Sequence, residues 1–154
     1  MTDAVAIDSP LTESAQVATV LAMPGAAEMS DIDVAEAVES GLPVASVDAL
    51  ATRVNAVENG AVFKVISEST YRRAMRNAQR RLSPEASGKV YDLARVLANT
   101  AVLFKDDWDK VALFMSLPNQ ALGGRKPFDL ARSSRAGADA VVRMIGAARA
   151  GVAL

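Results

Sequence analysis

The sequence predicts an all-α protein, and three observations support this prediction. Alanine and leucine are common, whereas aromatic residues make up only 5% of the chain. No segment shows the sustained apolar alternation with β-branched residues that is typical of strands. Apolar residues instead recur at spacings of three and four, which place them on one face of a helix. With 154 residues, the chain is long enough for one ordinary domain or two small helical ones.

The first predicted elements are short. A helix over residues 14–23 is one interpretation of the N-terminal region, and partial disorder is the alternative. A second helix covers residues 31–40 and ends before a glycine and a proline. Ser46 is then predicted to cap a third helix, whose buried stripe has the helical spacing. The stripe consists of Val47, Leu50, Ala51 and Val54.

The central elements predict a helix-turn-helix. A weak helix over residues 61–66 is followed by Ser67, which is predicted to cap a stronger helix over residues 68–80. In this second helix the apolar side chains are expected to face the core, and most arginines to face solvent. The inward residues are predicted to be Tyr71, Met75 and Ala78.

The C-terminal elements begin with the most regular helix. Ser83 is predicted to cap it, Pro84 fits its first position, and it runs to about residue 104. Its apolar face is predicted to contain Val90, Leu93, Ala94, Leu97, Ala101 and Phe104. The next helix is capped by Asp106 or Asp107, and is stopped by Pro118. Its predicted core residues are Trp108, Val111, Phe114 and Leu117.

The last predicted elements are a loop and a helix. A glycine-bearing loop over residues 119–126 leads into a helical turn that starts at Pro127. A helix over residues 135–150 follows. Its predicted buried residues are Val141, Val142, Ile145 and Ala148.

Composition excludes several classes of function. The chain has no cysteine and no histidine, which removes thiolate and imidazole nucleophiles, the Ser-His-Asp relay and nearly all zinc, haem and iron–sulfur sites. The longest charge-free stretch near the N-terminus contains Pro24 and is too short for a membrane span. Asp3 and Asp8 stand where a secretory signal would carry basic residues. We therefore expect a cytoplasmic protein without a membrane partner.

The charge is distributed unevenly along the chain. Residues 1–52 contain nine acidic and no basic residues, whereas residues 53–82 contain seven basic and two acidic ones. Residues 83–154 carry ten basic and seven acidic residues, so the whole chain has a formal net charge of only -1. A cationic block inside a nearly neutral protein is typical of a surface that binds anions. The alternative interpretation is a solvated helix face.

The cationic block suggests a DNA-recognition helix over residues 67–81. A recognition helix reaches base edges with a short polar N-terminus and neutralises phosphates with arginines along its length. Ser67 is the cap, and base contacts are predicted for Ser69, Thr70 and Arg73. Phosphate contacts are predicted for Arg72, Arg76, Arg80 and Arg81. In the alternative, an adaptor protein, these arginines pair internally with the acidic N-terminal segment.

Two other motifs predict structure rather than chemistry. The run Gly123-Gly124-Arg125-Lys126 lacks the spacing, the hydroxyl residue and the preceding strand of a Walker phosphate loop, so it is interpreted as a tight turn. The carboxylates of Asp106, Asp107 and Asp109 lie at a predicted helix start, where capping explains them without a metal. Because no nucleophile, base or metal cluster is organised, we expect neither enzymatic activity nor a cofactor.

Several sequence blocks, in their order and spacing, resemble one family. They are 41–44 (GLPV), 47–51 (VDALA), 66–73 (ISESTYRR), 81–85 (RLSPE), 93–97 (LARVL), 119–125 (NQALGGR) and 127–130 (PFDL). From about residue 41 to the C-terminus the chain resembles the Xre/MbcA/ParS-type antitoxins, which neutralise RES-domain toxins that consume or transfer NAD. The last two blocks are the most specific part of the resemblance.

The resemblance implies an organisation and a set of partners. It implies an Xre-like helix-turn-helix over residues 41–82 and a helical toxin-binding domain over residues 83–154. The acidic N-terminal segment over residues 1–40, with partial disorder or short helices, lies outside the resemblance. The implied partners are a cognate RES-domain toxin, operator DNA and a second copy of the chain, in a homodimer and in a hetero-oligomer with the toxin. The C-terminal region is expected to block the toxin's NAD pocket. A transcription regulator without a toxin partner is the alternative.

The resemblance also indicates which residues contact the toxin. They lie in the glycine loop, at the end of the last helix and in the C-terminal tail. These residues are Leu122, Gly123, Gly124, Arg125, Lys126, Pro127, Phe128, Arg149, Gly151, Val152, Ala153 and Leu154.

Overall fold

The computed structural model of the chain describes residues 10–151, and within these residues the all-α prediction is confirmed. The described residues form nine α-helices and no β-strand. In chain order the helices are α1 (Glu13–Val20), α2 (Asp31–Ser40), α3 (Val44–Val54), α4 (Val62–Val65), α5 (Glu68–Arg76), α6 (Pro84–Leu103), α7 (Trp108–Ser116), α8 (Pro127–Ser133) and α9 (Arg135–Arg149).

The long helix α6 is the centre of the molecule. The hydroxyl of Ser83 caps it by accepting a hydrogen bond from the Ala86 N–H, and Pro84 occupies its first position, as the sequence predicts. Seven other helices pack against α6, namely α1, α2, α3, α4, α7, α8 and α9. Most of the predicted apolar face of α6 is buried, and Phe104 at its end is half-buried. Because α6 is buried on several sides, it joins the N-terminal and C-terminal helices into one core.

Helix α1 is integrated into this core through α6. Val17, Ala18 and Leu21 are buried, and Arg95 of α6 bridges the Glu13 carboxylate at 2.9 Å and the Asp139 carboxylate of α9 at 2.7 Å. Burial disfavours the charged Arg95, but its bonds to Glu13 and Asp139 outweigh this cost and raise its pKa. Arg95 therefore compensates one charge of the acidic N-terminal segment, that of Glu13, and its second ion pair links α1 to α9.

Helix α3 begins earlier than the sequence predicts. Pro43 is its N-cap residue, and Ser46 is buried inside the first turn, so the prediction that Ser46 caps this helix is wrong. Proline is favourable near a helix start because its φ is already close to the helical value. The predicted stripe is correct for Val47, Leu50 and Val54, which are fully buried.

Helix α5 is shorter than predicted and turns a different face inward. It ends at Arg76, because the Asn77 side chain bonds both the N–H and the carbonyl of Arg81 and so competes with further helical turns. Ala74 is its buried residue, whereas Met75 and Ala78 are exposed, against the prediction. The observed helix-turn-helix is thus compact and held by a small apolar contact.

Helix α7 also differs in part. Asp107, one of the two predicted residues, caps it by accepting from the Lys110 N–H at 3.2 Å. Val111 is buried, but Trp108 and Phe114 are only half-buried, and Leu117 is 51% exposed. One face of the Trp108 ring is covered by the Arg53 guanidinium, 4.0 Å from the ring centroid. Of the four predicted core residues only Val111 is fully buried, so α7 packs on the core with one side.

An isolated antiparallel bridge between Pro43 and Arg81, here called the clamp with its flanking residues 41–44 and 80–82, closes the chain segment that ends with α5. The Leu82 N–H donates to the Leu42 carbonyl at 2.9 Å, and the Val44 N–H donates to the Arg80 carbonyl at 3.0 Å. Gly41 begins this clamp with φ of 92°, a conformation that favours glycine. A Cβ on Gly41 would collide with the Leu82 carbonyl oxygen. The clamp fixes both ends of the segment that carries α3, α4 and α5.

Gly41→Ala is therefore expected to destabilise the protein. Both the positive φ and the collision with Leu82 oppose the new methyl group, and together they cost about 2–3 kcal/mol of unfolding free energy. Urea unfolding followed by circular dichroism measures this loss. The matched control is Gly146→Ala in α9, where a Cβ meets nothing within 4 Å and helix propensity predicts a gain of up to about 1 kcal/mol. Equal stability of the two variants would contradict the proposed role of Gly41.

Candidate functional site

The N-terminus of α5 presents a cluster of hydroxyl groups. Ser67 caps the helix as predicted, accepting from the Thr70 N–H at 3.1 Å. Its hydroxyl also lies 3.0 Å from the Ser69 hydroxyl and 2.8 Å from the Thr70 hydroxyl. Ser67 and Ser69 are exposed, and Thr70 is half-buried. Small polar groups at an exposed helix N-terminus can contact phosphate oxygens or base edges.

The arginines of α5 divide into two groups. Arg72 forms an ion pair with Glu68 one turn earlier, at 2.6 Å, and both side chains are largely exposed. Arg73 and Arg76 are exposed and form no ion pair within residues 10–151. Their charge is therefore uncompensated by any neighbour that the structure describes, which makes them the strongest candidates for contact with an anionic partner.

The remaining two predicted arginines lie beyond the helix. Arg80 adopts φ of 51°, and its guanidinium contacts the Met75 sulfur at 3.1 Å. Arg81 donates to the Gly41 carbonyl at 3.1 Å, so it is a part of the clamp. The sequence predicts both residues on the recognition helix, and this prediction is wrong because α5 ends at Arg76. No arginine of this segment pairs with an acidic residue of residues 10–52, which are the part of the acidic segment that the structure describes.

A cleft of about 490 Å³ runs beside α5. The predicted residues Thr70, Arg73 and Arg81 line it, together with Asn77 and Gln79. The sequence interpretation missed Asn77 and Gln79 because it continued the helix through residue 80. An asparagine soon after the last regular helical position was the available signal, since asparagine favours turns. The cleft extends the polar surface of α5 towards the clamp.

A tight turn between α7 and α8 carries two exposed glycines, Gly123 and Gly124. Asn119 and Arg125 form an antiparallel bridge, in which the Asn119 N–H donates to the Arg125 carbonyl at 3.1 Å. Gly123 and Gly124 have φ of 66° and 81°, and a Cβ on either would meet nothing within 4 Å. The positive φ angles alone thus explain why glycine occupies both positions. The predicted tight turn between two helices is confirmed.

The predicted toxin-contacting residues around this turn separate by burial. Gly123, Gly124, Arg125 and Lys126 are exposed. Leu122, Pro127 and Phe128 are buried, and Phe128 is only 2% exposed. The buried residues therefore fix the turn in place, while the exposed ones are available to a partner.

The end of α9 is the last predicted contact region. Arg149 and Gly151 are exposed, and Gly151 has φ of 83°. The predicted contacts Val152, Ala153 and Leu154 lie outside the described residues. The core contacts of α9 come from earlier turns, where Val141 and Ile145 are fully buried.

Comparison with protein families assigns both halves of the chain. Residues 33–95 match the antitoxin Xre-like helix-turn-helix domain, and residues 100–151 match the antitoxin Xre/MbcA/ParS C-terminal toxin-binding domain. The chain belongs to the Xre/MbcA/ParS antitoxin family. No curated protein matches this antitoxin.

The two matched ranges give the antitoxin a helix-turn-helix DNA-binding domain followed by a toxin-binding domain. Helix α5 lies in the first range, and the glycine turn and α9 lie in the second. The first match ends inside α6, and the second begins in the last turn of the same helix. A single continuous helix therefore connects the two domains of the antitoxin, without a flexible linker.

Two further properties bear on the antitoxin's chemistry. No helix within residues 10–151 is both long and apolar enough to cross a membrane. The described residues contain no group of three or more acidic side chains that could hold a metal ion. Asp107 caps α7, as the sequence interpretation of this acidic cluster expects.

One contact orients α5 in the antitoxin. The Tyr71 hydroxyl donates to the Asp48 carboxylate of α3 at 2.8 Å, and its ring meets Phe63 of α4 edge-on, with centroids 5.9 Å apart. The hydrogen bond to Asp48, with lesser effects of burial and of the carboxylate's charge, raises the Tyr71 pKa, so the hydroxyl stays protonated to a higher pH than usual. Since Ala74 is the only fully buried residue of α5, this bond is a major constraint on the helix.

Tyr71→Phe is expected to weaken operator binding by about fivefold, because one hydrogen bond that holds α5 is worth about 1 kcal/mol. Fluorescence anisotropy with labelled operator measures the change. Asp48→Ala should give a similar loss, and the double variant should be no worse than either single variant. Asp48→Asn, which keeps an acceptor, is the control. Additive losses would show that Tyr71 acts on DNA directly.

Proposed function

We propose that this antitoxin binds a cognate RES-type toxin that consumes NAD and inhibits it sterically. In this proposal Arg125 and Lys126 contact the toxin beside the exposed glycines of the turn, and Arg149 and Gly151 contact it at the end of α9. The tail residues Val152, Ala153 and Leu154 block the way to the toxin's active site. Support comes from the exposed Gly-Gly turn in the toxin-binding domain, which lies within the sequence block that resembles antitoxins of RES toxins.

We further propose that the antitoxin represses its own operon through α5. Ser67, Ser69, Thr70, Arg72, Arg73 and Arg76 face the operator, and Arg80 and Arg81 support the phosphate contacts from the adjoining clamp. The observation that carries this proposal is the pair of exposed arginines, Arg73 and Arg76, on the recognition helix of a helix-turn-helix domain. Phosphate contacts of this kind are strong, independent of sequence and weakened by salt.

The proposal extends to organisation and location. The chain acts in the cytoplasm as a homodimer that also forms a hetero-oligomer with the toxin. Its functional division is an acidic segment over residues 1–40, a DNA-binding region over residues 41–82 and a toxin-binding region over residues 83–154. It performs no catalysis, so the purified chain alone should leave NAD unchanged.

Co-expression tests the proposed function. The chain is expressed with the product of the adjacent reading frame, which carries an affinity tag, and growth, cellular NAD and co-elution are measured. We expect the two proteins to co-elute and both growth and NAD to recover relative to the tagged partner alone. Unrelieved toxicity together with failure to co-elute would contradict toxin neutralisation. Operator binding in that case would favour a transcription regulator without a toxin partner.

A further inference from the structure

Helix α7 and the residue that caps its C-terminus expose two leucines. Leu113 of α7 is 59% exposed, and Leu117, the extended C-cap residue four positions later, is 51% exposed. The opposite side of α7 holds Val111 and Met115, which are fully buried in the core. Residues two positions apart on a helix lie on nearly opposite faces, so Leu113 cannot reach the core that these residues fill. Leu117 follows the last helical residue in an extended conformation and is likewise exposed. The two leucines form an apolar surface, here called the α7 patch, that no other described part of the chain covers.

The α7 patch is fixed in position. Phe114 packs against Phe104 at the end of α6, with ring centroids 5.8 Å apart, and Trp108 is covered by Arg53 of α3. These contacts hold both sides of α7 on the core. Two exposed leucines four positions apart, at the end of a helix that is held on the core, differ from singly scattered surface apolar residues, which are ordinary. A rigid apolar surface binds a partner without a large ordering cost.

The α7 patch adjoins a cationic surface. Pro118, the residue after Leu117, lines a cleft together with Gly124, Arg125, Lys126 and Asp129. Arg125 and Lys126 are exposed and form no ion pair within residues 10–151. The surface thus has an apolar centre and a cationic edge, and its complement is a protein surface with an apolar centre and an acidic edge. DNA would match the cations but not the leucines.

The position of the α7 patch in the chain indicates the partner. Six large apolar side chains are strongly exposed among the described residues, and two of them, Leu113 and Leu117, lie within the toxin-binding range 100–151. We infer that the α7 patch is the apolar centre of the interface with the toxin, and that Arg125 and Lys126 pair with acidic residues at its edge. This inference rests on the proposed function, because it assigns a docking surface for the same toxin, separate from the C-terminal tail.

The test is a pair of substitutions in the full chain. Leu113→Glu combined with Leu117→Glu is expected to reduce affinity for the immobilised product of the adjacent reading frame by about 100-fold, because two central apolar contacts are lost. Ile32→Glu is the matched control, since Ile32 is a 67% exposed apolar residue of α2 outside the toxin-binding range, and it should leave the affinity unchanged. Unchanged thermal unfolding and operator binding would establish that the double variant is folded. If it is not folded, the corresponding alanine variants replace it.

The outcomes are distinguishable. If the wild-type chain itself fails to bind the partner, the proposed function fails. If the wild-type chain and the double variant bind equally well, the inference about the α7 patch is overturned and the proposed function stands. If the double variant changes only the chain's own oligomeric state, measured by light scattering, the patch binds a second copy and the inference is overturned. Loss of operator affinity without loss of toxin affinity overturns it as well.

Discussion

Replacing Arg76 with glutamine is expected to weaken DNA binding by about tenfold and to lower the slope of log affinity against log salt by about one. Arg76 is exposed in the last turn of α5 and has no acidic partner within residues 10–151, so its charge is available to a phosphate. A lost phosphate contact weakens binding to all sequences equally, because phosphates carry no sequence information. Anisotropy titrations of operator and scrambled duplex at several salt concentrations measure both quantities.

Arg73→Gln should reduce the preference for operator over other sequences, whereas Arg76→Gln should weaken binding to all sequences. Arg73 lies closer to the N-terminus of α5, the end of a recognition helix that reaches base edges, and it lines the cleft beside the helix. We expect a preferential loss of operator affinity, so that the ratio of operator to scrambled binding falls by about tenfold. Arg72→Gln should have a smaller effect than either variant, because Glu68 already compensates the Arg72 charge.

The control for these arginine variants is Lys105→Gln. It removes one positive charge just after the C-terminal end of α6, whereas the clamp lies next to the N-terminal end of that helix. The 20 residues of α6 separate the two ends by about 30 Å. Its affinity and salt slope should equal those of the unchanged chain. If Arg73→Gln and Arg76→Gln also leave both quantities unchanged, α5 is not the DNA-binding surface, and an adaptor protein becomes the better account of the cationic block.

Helix caps and long apolar stripes can be predicted from the sequence because they depend on neighbouring residues alone. Ser67, Ser83 and Asp107 cap their helices as predicted, because capping requires only a short polar side chain next to the first turn. The apolar stripe of α6 was predictable for a similar reason, since a 20-residue helix repeats its spacing many times. Short helices offer no such repetition, and in α5 the spacing predicts Tyr71, Met75 and Ala78 at the core, whereas the buried residue is Ala74.

The errors arose where contacts distant in sequence decide the structure. Arg81 looks like a phosphate-binding arginine, but its bond to the Gly41 carbonyl joins positions 40 residues apart and is invisible to local spacing. The same holds for Ser46, which is buried because α3 starts at the clamp. Leu117 fits the apolar spacing of α7, yet α7 is buried on one side only. Charge and family motifs locate the candidate surfaces, whereas tertiary contacts decide which of their side chains are available.

Removal of residues 151–154 is expected to abolish toxin neutralisation while operator binding is kept. The core contacts of α9 end well before this segment, with Val141 and Ile145 fully buried and Gly151 exposed, so the truncation should not unfold the protein. In the proposed function these last residues enter the toxin's cleft, which a short segment with small side chains fits more easily than a whole helix does. Under the proposed function, loss of the tail is expected to open the toxin's pocket and to leave the α7 patch in place.

Three measurements separate these effects. Growth and cellular NAD on co-expression with the adjacent gene product report inhibition, co-elution reports docking, and anisotropy reports operator binding. We expect inhibition to be lost, docking to weaken only in part because the α7 patch remains, and operator binding to be unchanged. A variant with Val152, Ala153 and Leu154 all replaced by glycine is the matched control for length, and it should also fail to inhibit if the side chains fill the pocket. Full inhibition by the truncated chain would instead show that docking alone closes the toxin, and the blocking role would pass from the tail to the folded domain.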